Sequence, residues 1–349
     1  MQTQLWKVDP NNIDQEIIAQ AAELIKRGEV VAFPTETVYG LGADGLNPDA
    51  VRAIFTAKGR PADNPLILHI CRIADLSRIA AEIPDQARQL MERFWPGPLT
   101  VVLPRTELVP DVVTAGLDTV AIRMPSHPVA QALIAASGVP LAAPSANLSG
   151  KPSPTRAEHV WEDLQGRIAG LIDAGPVEIG LESTVLDLSG EVPYLLRPGG
   201  ISREQLEAVL GEVRIAGEVE DQETPKAPGM KYRHYAPRAP LYVVSAETSA
   251  EIAALLQSLV NEAQRGGERV GLIVSEETRA FLTVEAAETR VIGSRENLAE
   301  VAHNLFGILR DLDQTAVTVI YAEGFPPTGV GAAVMNRLYK AAGGRLITP

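Results

Sequence analysis

A lysine and an arginine two positions apart, Lys58 and Arg60, are the residues of this chain best placed to do chemistry. Gly59 and Pro61 lie beside them and set an unusual backbone, and the sequence then leads through Asn64 into a strand. A lysine acts as a point charge and an arginine as a planar fork, so together they can grip a polyphosphate from two sides. The alternative is ordinary basic charge at the C-terminal end of a helix. These residues alone support both interpretations equally.

Short polar side chains also follow several predicted strands, which is where α/β sheets commonly bind ligands. Ser145 and Asn147 come after a small apolar strand, and Ser183 and Arg197 lie in further polar segments. Each of these groups is equally typical of a turn or a helix cap. His69 lies within an apolar strand, where a histidine is more often a satisfied core residue. Taken singly, none of these residues identifies a reaction.

Several well-known motifs are missing or misplaced. The segment Gly40-Leu-Gly42-Ala-Asp-Gly45 matches GxGxxG, but residues 34–39 separate it from the preceding strand, and the next helix begins only at Pro48. A dinucleotide fold requires the first glycine directly after the strand and the last at the start of the helix. The sequence contains no Walker A loop, HExxH motif or other metal-ligand spacing. Residues 34–45 are therefore predicted to form a glycine-rich loop.

Length and charge narrow the class of protein. The chain has 349 residues, 46% of them hydrophobic, and single cores stop growing at roughly 250–300 residues, so two domains are expected. The net charge of −13 excludes a nucleic-acid coat protein or a polybasic membrane binder, because both need a broad positive field. Cys71 is the only cysteine, so no internal disulfide is expected. The N-terminal residues do not resemble a signal peptide, and a cytoplasmic location is expected.

Hydrophobic periodicity predicts the elements that position these residues. Up to Leu210, short apolar strands and amphipathic helices alternate irregularly, which favours an α/β domain with a mixed sheet. Asn47 and Pro48 are typical of the start of a helix, which is predicted to run through Ala57. From Leu241 onwards a regular alternation of strands and helices predicts a small three-layer α/β domain, without a cluster of catalytic residue types.

The segment between these two domains has an unusual composition. Residues 212–223 are acidic, whereas residues 225–238 are basic and contain no acid. A linker is the simplest interpretation. Tyr232, His234 and Tyr235 lie among the bases, however, and aromatic and cationic side chains at this density suit a segment that covers an anionic or nucleotide ligand. The predicted boundaries are 1–211 for the first domain, 212–240 for the linker and lid, and 241–349 for the second domain.

Seven motifs in a fixed order resemble one family: PTETVYGLG, KGRPADNPL with the strand histidine, WPGPLT, AIRMP, APSAN, an EST segment and LRPG. This order resembles the L-threonylcarbamoyladenylate synthases of the YrdC-like family, across residues 10–238. The HYAP segment, with a second α/β domain after it, is similar to the long, two-domain form. The resemblance implies a YrdC-like core domain with a twisted mixed sheet and a smaller Rossmann-like three-layer α/β C-terminal domain.

The resemblance also implies an enzyme, a nucleotidyltransferase that makes L-threonylcarbamoyl-AMP from ATP, L-threonine and bicarbonate and releases pyrophosphate. The product would serve tRNA processing, as the donor for threonylcarbamoyladenosine modification by downstream tRNA threonylcarbamoyl transferase proteins. Such a displacement at phosphorus needs positioning and charge neutralisation more than a strong acid or base, which fits the lack of a nucleophile or metal motif. Mg²⁺ is expected with ATP, and no protein ligand is assigned to it.

Residue roles follow from the resemblance, motif by motif. Lys58 and Arg60, both expected to face solvent, would be the catalytic residues that hold the phosphates and offset charge on pyrophosphate. Arg123 would grip the threonine carboxylate as a bidentate fork, and Ala143 would contribute only its backbone. Tyr235 would close over the nucleotide and exclude water from a labile mixed anhydride. The other predicted contacts are Asn64, Thr119, Ser145, Asn147, Ser153 and Arg197 for ATP, and Thr35, Thr37, His69 and Ser183 for threonine.

Two other classes of function fit parts of the sequence. An RNA-binding module without catalysis would use the basic patch of such a fold, although the acidic net charge and the 5% aromatic content disfavour tight binding of tRNA. A carbamoyl-transfer domain like that of larger hydrogenase-maturation proteins is disfavoured, because those proteins carry cysteine-rich zinc segments, whereas this chain has a single cysteine. No association with a membrane is expected, since the apolar stretch at residues 128–144 is interrupted and too short to span a bilayer.

Overall fold

The computed structural model describes residues 2–217, 225–226 and 234–349. It divides into two units. The first comprises Met1–Ser149, Ser153–Glu178 and Glu182–Tyr232, and the second comprises Gly150–Pro152, Ile179–Leu181 and Arg233–Pro349. Much of the predicted linker, including Lys231, Tyr232 and Arg233, lies outside the described residues. Within the described ranges, no helix has both the length and the apolar character that crossing a membrane requires.

The first unit is built on a mixed sheet, in which eleven strands are described. In chain order they are β1 Gln4–Lys7, β2 Val31–Phe33, β3 Gly40–Asp44, β4 Ile67–His69, β5 Leu99–Pro104, β6 Thr119–Arg123, β7 Leu141–Ala142, β8 Gly170–Asp173, β9 Thr184–Asp187, β10 Tyr194–Arg197 and β11 Arg214–Ile215. Their order across the sheet is β1-β8-β2-β3-β7-β4-β6-β5-β9-β10-β11, with both parallel and antiparallel neighbours. The predicted mixed-sheet α/β fold is confirmed.

Helices connect these strands and cover both faces of the sheet. They are α1 Gln15–Lys26, α2 Pro48–Lys58, α3 Leu76–Ile79, α4 Asp85–Phe94, α5 Asp111–Thr114, α6 Pro128–Ser137, α7 Ala157–Leu164 and α8 Arg203–Leu210. Neighbouring residues of β2 show the two faces directly. Ala32 belongs to one buried apolar cluster, whereas Val31 and Phe33 belong to another, which includes residues of α1 and α6. Side chains alternate along a strand, so each face of the sheet has its own core.

Helix α2 carries the basic pair at its C-terminal end. Asn47 caps its first turn, with Oδ1 accepting hydrogen bonds from the backbone N–H groups of Asp49 (3.0 Å) and Ala50 (3.4 Å). Lys58 is the last helical residue, and Gly59 ends the helix in the left-handed conformation, with φ 61°. The predicted start of this helix is therefore confirmed, and its end fixes the direction in which the chain leaves.

Residues 40–44 form a strand, so the prediction of a loop across residues 34–45 is wrong for this part. β3 pairs antiparallel with β2, with Gly40 opposite Phe33 and Gly42 opposite Val31. A Cβ atom added at Gly42 would lie only 2.6 Å from Cε1 of Phe33. The glycines leave room for this aromatic ring. Side-chain periodicity cannot reveal such a strand, because glycine has no side chain to count.

The second unit is a parallel sheet between helices. Its strands are β12 Leu241–Val244, β13 Val270–Val274, β14 Glu288–Val291, β15 Val319–Glu323 and β16 Leu346–Ile347, in the order β14-β13-β15-β12-β16. All of these described pairs are parallel. The helices are α9 Ser249–Arg265, α10 Glu276–Phe281, α11 Leu298–Asp313 and α12 Val330–Ala342. The predicted C-terminal α/β fold is confirmed, while α10 and β16 are additions that the sequence pattern does not predict.

We expect Gly59→Ala to lower the free energy of unfolding of the first unit by about 1 kcal/mol, because a left-handed backbone is unfavourable for any residue with a Cβ. Gly190→Ala is a matched control, since an added Cβ meets nothing within 4 Å at either position and only Gly59 has a positive φ. All three tryptophans, Trp6, Trp95 and Trp161, lie in the first unit, so their fluorescence during urea unfolding reports on this unit. Equal stability of the two variants would contradict the left-handed backbone at Gly59.

Candidate functional site

The parallel pair of β4 and β6 sets the order of the predicted site residues. His69 is opposite Arg123 at the carboxyl ends of the two strands. The same register brings Thr119, the first residue of β6, to the end at which Asn64 precedes β4. A strand rises about 3.3 Å per residue, so the two ends of β6 are about 13 Å apart. The predicted ATP residues Asn64 and Thr119 thus lie at the opposite end of this pair from the predicted threonine residues His69 and Arg123.

Lys58 is buried, so the expectation that it faces solvent is wrong. Its exposure is 3%. Nζ donates to the backbone carbonyl oxygens of Ser145 (2.5 Å) and Asn147 (2.7 Å), and it lies 3.4 Å from Oδ1 of Asn147. The side chain is buried because the end of α2 packs against the loop after β7, where the backbone N–H of Ser149 donates to the Lys58 carbonyl (3.0 Å). The ammonium therefore fixes the loop that carries two predicted ATP residues.

The loop after β7 has its own internal bonds. Oγ of Ser145 donates to Oδ1 of Asn147 at 2.5 Å, and Nδ2 of Asn147 donates to the carbonyl of Leu148 at 2.8 Å. Asn147 is 5% exposed. Ala143, at the start of this loop, donates its backbone N–H to the carbonyl of Ile67 at 3.0 Å. The structure thus brings Lys58, Ser145 and Asn147 together.

Arg60 is half-buried and turns towards the segment before β4. Its Nη2 donates to the carbonyl oxygens of Asn64 (3.0 Å) and Pro65 (3.3 Å), and its guanidinium carbon lies 5.8 Å from the centre of the Phe55 ring. Asn64 is 1% exposed, and its Oδ1 has no hydrogen-bond partner in the described part of the chain. An unsatisfied buried acceptor costs about 1–3 kcal/mol, so a ligand donor at this position would be stabilising.

Arg123 is at the centre of a buried polar cluster at the other end of the strand pair. Nη1 donates to Oγ1 of Thr37 at 2.9 Å, and Nε donates to the carbonyl of Gly97 at 3.2 Å. Nη2 lies 2.7 Å from Oε1 of Glu36, and both side chains of this ion pair are 4% exposed. Oγ1 of Thr35 lies 2.8 Å from Oγ1 of Thr37. The guanidinium is therefore held from three sides before any ligand binds.

The electrostatics of this cluster follow from burial and from the ion pair. Burial alone would raise the pKa of Glu36, but the charge and hydrogen bond of Arg123, together with backbone hydrogen bonds from Glu36 and Ser126, outweigh it and hold this pKa below the ordinary value of 4.5. Burial, followed by the charge of Arg123, lowers the pKa of His69 to about 3. His69 is therefore neutral near pH 7, with Nδ1 3.2 Å from the carbonyl oxygen of Ile67. The histidine serves as a hydrogen-bonding group and not as a cation.

Ser183 and Arg197, predicted for different substrates, contact each other directly. Nε and Nη2 of Arg197 donate to the carbonyl of Ser183 at 3.1 and 2.9 Å, and Nη2 lies 3.2 Å from Oγ of Ser183. The same Oγ lies 2.8 Å from Oγ1 of Thr100. Ser183 is 1% exposed and Arg197 is 5% exposed. This contact makes the start of β9 a place where groups predicted for the two substrates meet.

Two buried acids belong to the site but carry no role in the sequence-based assignment. Glu36 holds Arg123, and Glu182 accepts a hydrogen bond from Oγ of the fully buried Ser153 at 2.5 Å. Each acid directly precedes a hydroxyl residue of its motif, Thr37 or Ser183. The sequence offers one sign that these acids belong to the site, which is their position among threonines and serines. A charged residue in such a segment needs a partner when it is buried.

Tyr235 lies in the second unit, where it is 5% exposed and has a positive φ of 64°. The centre of its ring is 5.1 Å from that of Phe306 and 5.7 Å from the guanidinium carbon of Arg337. Its closure over a nucleotide stays a prediction.

Comparison with known proteins identifies relatives of both units. Residues 23–199 match the Sua5/YciO/YrdC family described as "Telomere recombination", and residues 201–343 match "Threonylcarbamoyl-AMP synthase, C-terminal domain". The chain is 54% identical to threonylcarbamoyl-AMP synthase of Bacillus subtilis (99% of this chain, 100% of the relative). It is 52% identical to that of Pyrococcus abyssi (96% of each chain). A crystal structure of P. abyssi Sua5 complexed with L-threonine superposes with a TM-score of 0.94 at 50% identity, covering 99% of this chain and 100% of that chain.

We expect Lys58→Met to lower the free energy of unfolding of the first unit by about 2–3 kcal/mol, because two carbonyl oxygens would lose a charged donor in a buried position. Lys26→Met, at the exposed end of α1, is the control and should change stability by less than about 0.5 kcal/mol. Urea unfolding followed by tryptophan fluorescence measures both. If Lys58→Met is as stable as Lys26→Met, the buried ammonium does not hold the loop.

We expect the contribution of Glu36 to stability to disappear in acid. Its pKa in the folded chain lies below 4.5, so the contribution is complete above pH 4.5 and is lost as the pH falls through the lower folded value. The difference in unfolding free energy between the wild type and Glu36→Gln should therefore be constant near pH 7 and shrink below pH 4.5. A difference that stays constant throughout the acid range would show that Glu36 is not ionised in the ion pair.

Proposed function

The chain belongs to the threonylcarbamoyl-AMP synthase family, and on that premise we propose that it makes L-threonylcarbamoyl-AMP from ATP, L-threonine and bicarbonate, with release of pyrophosphate. The observation that carries the proposal is the division of the site between the two ends of β4 and β6. Arg60 and Asn64 lie at one end, and the buried Arg123 lies at the other. This arrangement suits a phosphate-bearing substrate and a small carboxylate that react between the two ends.

Threonine binds at the end that carries Arg123. Its carboxylate pairs with the guanidinium, which Glu36 and Thr37 already hold in place. The prior positioning lowers the entropic cost of binding and of alignment. Neutral His69, directly across the strand pair, offers a hydrogen bond without adding a competing charge. Ser183 and its partner Thr100 are further hydroxyl groups proposed for this part of the site.

The chemical steps balance without a covalent enzyme intermediate. The unprotonated amine of threonine and bicarbonate give a carbamate and water. A carbamate oxygen then attacks the α-phosphorus of ATP, the bond from the α-phosphorus to the bridging oxygen breaks, and pyrophosphate leaves with that electron pair. The carbamate becomes a mixed anhydride with AMP. Positioning and stabilisation of negative charge are the main requirements of this displacement.

The ATP end supplies the positive charge. Arg60 contacts the phosphates, while the buried ammonium of Lys58 holds the Ser145–Asn147 loop and adds its field at short range. Asn64 forms a hydrogen bond with ATP through its side-chain amide, whose oxygen has no partner among the described residues. Thr119, Ser153 and Arg197 are proposed as further contacts to ATP, and Tyr235 as the residue that excludes water from the product.

Mg²⁺ is proposed only as the ion that accompanies the phosphates of ATP. The described residues contain no group of three histidine, cysteine or acidic side chains able to hold a metal, so they do not fit a cage built by the protein, and we assign no step to the ion. Mg²⁺ usually keeps several waters and binds through phosphates and one or two carboxylates.

The product would pass to tRNA threonylcarbamoyl transferase proteins in the cytoplasm, for modification of tRNA.

We expect purified protein to release pyrophosphate from ATP and Mg²⁺ only when threonine and bicarbonate are both present, because the carbamate is the attacking group. Omission of each in turn tests this. Release without either would identify a different ATP-cleaving reaction. Binding of ATP without release would favour an RNA-binding module or an enzyme that requires a partner.

In the same assay, Arg123→Lys should lower kcat/KM for threonine about a hundredfold while the KM for ATP stays unchanged, because a lysine cannot form the bidentate contact. Arg105→Lys is the matched control, since Arg105 also donates to a carbonyl oxygen, that of Val109, in the same unit. Equal effects of the two substitutions would contradict the assignment of Arg123.

A further inference from the structure

Helix α11 presents one face to chain segments that are distant in sequence. His303, Phe306, Arg310 and Asp313 are spaced by three and four residues, so they lie along one side of the helix. His303 and Arg310 each meet a different loop, whereas Phe306 and Asp313 both meet the described end of the linker. All of these contacts lie within the second unit. We call this face the α11 docking face.

Two of these segments are short loops whose chain neighbours belong to the first unit. Residues Gly150–Pro152 and Ile179–Leu181 are part of the second unit. Arg310, 5% exposed, donates through Nε (3.0 Å) and Nη2 (2.6 Å) to the carbonyl oxygen of Pro152. At Gly180 an added Cβ would lie 2.5 Å from Cα of His303, so this loop approaches the helix too closely for any side chain.

The other two residues of the α11 docking face hold the described end of the linker. The Tyr235 ring packs on Phe306, and the backbone N–H of Arg238 donates to Oδ1 of Asp313 at 2.8 Å. The linker end is also bonded to the first loop, because the N–H of Ala236 donates to the carbonyl of Gly150 at 3.0 Å. The face therefore joins both loops and the linker end into one packed group.

The two loops lead directly into the candidate site. Pro152 is followed by Ser153, and Leu181 is followed by Glu182. Ser153 donates to Glu182 at 2.5 Å, with Ser153 fully buried. Ser153 is joined by a peptide bond to Pro152, and Glu182 is joined in the same way to Leu181; Pro152 and Leu181 both belong to the second unit. Displacement of Pro152 therefore moves Ser153 and strains its hydrogen bond to Glu182.

We propose that Arg310 is a positioning residue for the ATP-binding loop, by which we mean residues 145–153 with the proposed ATP contacts Ser145, Asn147 and Ser153. By holding the carbonyl of Pro152, it fixes the Ser153–Glu182 pair and the chain that runs back through Asn147. This inference rests on the proposed function, since it assigns the loop to ATP. It gives the C-terminal unit, whose sequence contains no cluster of catalytic residue types, a part in positioning the residues proposed to bind ATP.

The test compares Arg310→Met with Arg345→Met. Arg345 lies in the same unit and also donates to backbone carbonyl oxygens, those of Leu241 (3.3 Å) and Ala342 (2.6 Å), without contacting either loop through these bonds. Arg310→Met should raise the KM for ATP about ten- to a hundredfold, the range expected for loss of a charged hydrogen bond. The KM for threonine should change no more than in Arg345→Met, and Arg310→Lys should recover part of the affinity for ATP.

A second measurement does not depend on catalysis. Amide hydrogen exchange across residues 145–155, without substrates, should be faster in Arg310→Met than in the wild type and unchanged in Arg345→Met. An unchanged KM for ATP together with unchanged exchange would overturn the proposal. Equal increases in both KM values with a lower melting temperature would also overturn it, because they indicate a purely structural role. If the wild type forms no product, the exchange result still decides whether Arg310 positions the loop, so failure of the proposed function is recognised separately.

Discussion

The buried ammonium of Lys58 is the interaction on which the proposed ATP end of the site depends. Removing a charge from water is costly unless polar partners replace the water, and here the carbonyl oxygens of Ser145 and Asn147 do so. The same bonds attach the loop after β7 to the end of α2. Gly59 then ends the helix in a left-handed conformation directly after the lysine, and Arg60 bonds to the segment before β4. The burial of one charge thus determines the geometry of its neighbours.

The proposed threonine end follows the same principle, with an ion pair of opposite charges. Arg123 and Glu36, each only 4% exposed, compensate each other's charge, and neutral His69 adds no further charge. A carboxylate that enters this region meets a guanidinium already oriented by Thr37 and Gly97. The protein meets the cost of orienting this arginine during folding, so little of the binding energy of a substrate is needed for it.

The features that the sequence predicts correctly are those with local causes. Asn47 and Pro48 identify the start of α2 because a helix cap involves neighbouring residues, and the alternation of apolar positions reveals the mixed sheet. Strand β3 is not predicted because it contains glycines, and these are needed to leave room for the Phe33 ring on another strand. The burial of Lys58 and the role of Glu36 depend on groups far along the chain, Asn147 and Arg123, so no local pattern contains them. The order of motifs predicts which residues belong to the site but not which of them hold one another.

The α11 docking face has a consequence for the order in which the chain can fold during synthesis. The loops at 150–152 and 179–181 leave the ribosome well before α11, which supplies their packing partners His303 and Arg310. Domains generally fold as units during synthesis, N-terminal part first. In this chain the first unit can form its sheet early, but the two loops that lead into Ser153 and Glu182 lack their packing partners until α11 is made. The residues proposed to bind ATP near Ser153 therefore gain this anchor late in synthesis, and a nascent chain lacks it until α11 has been made.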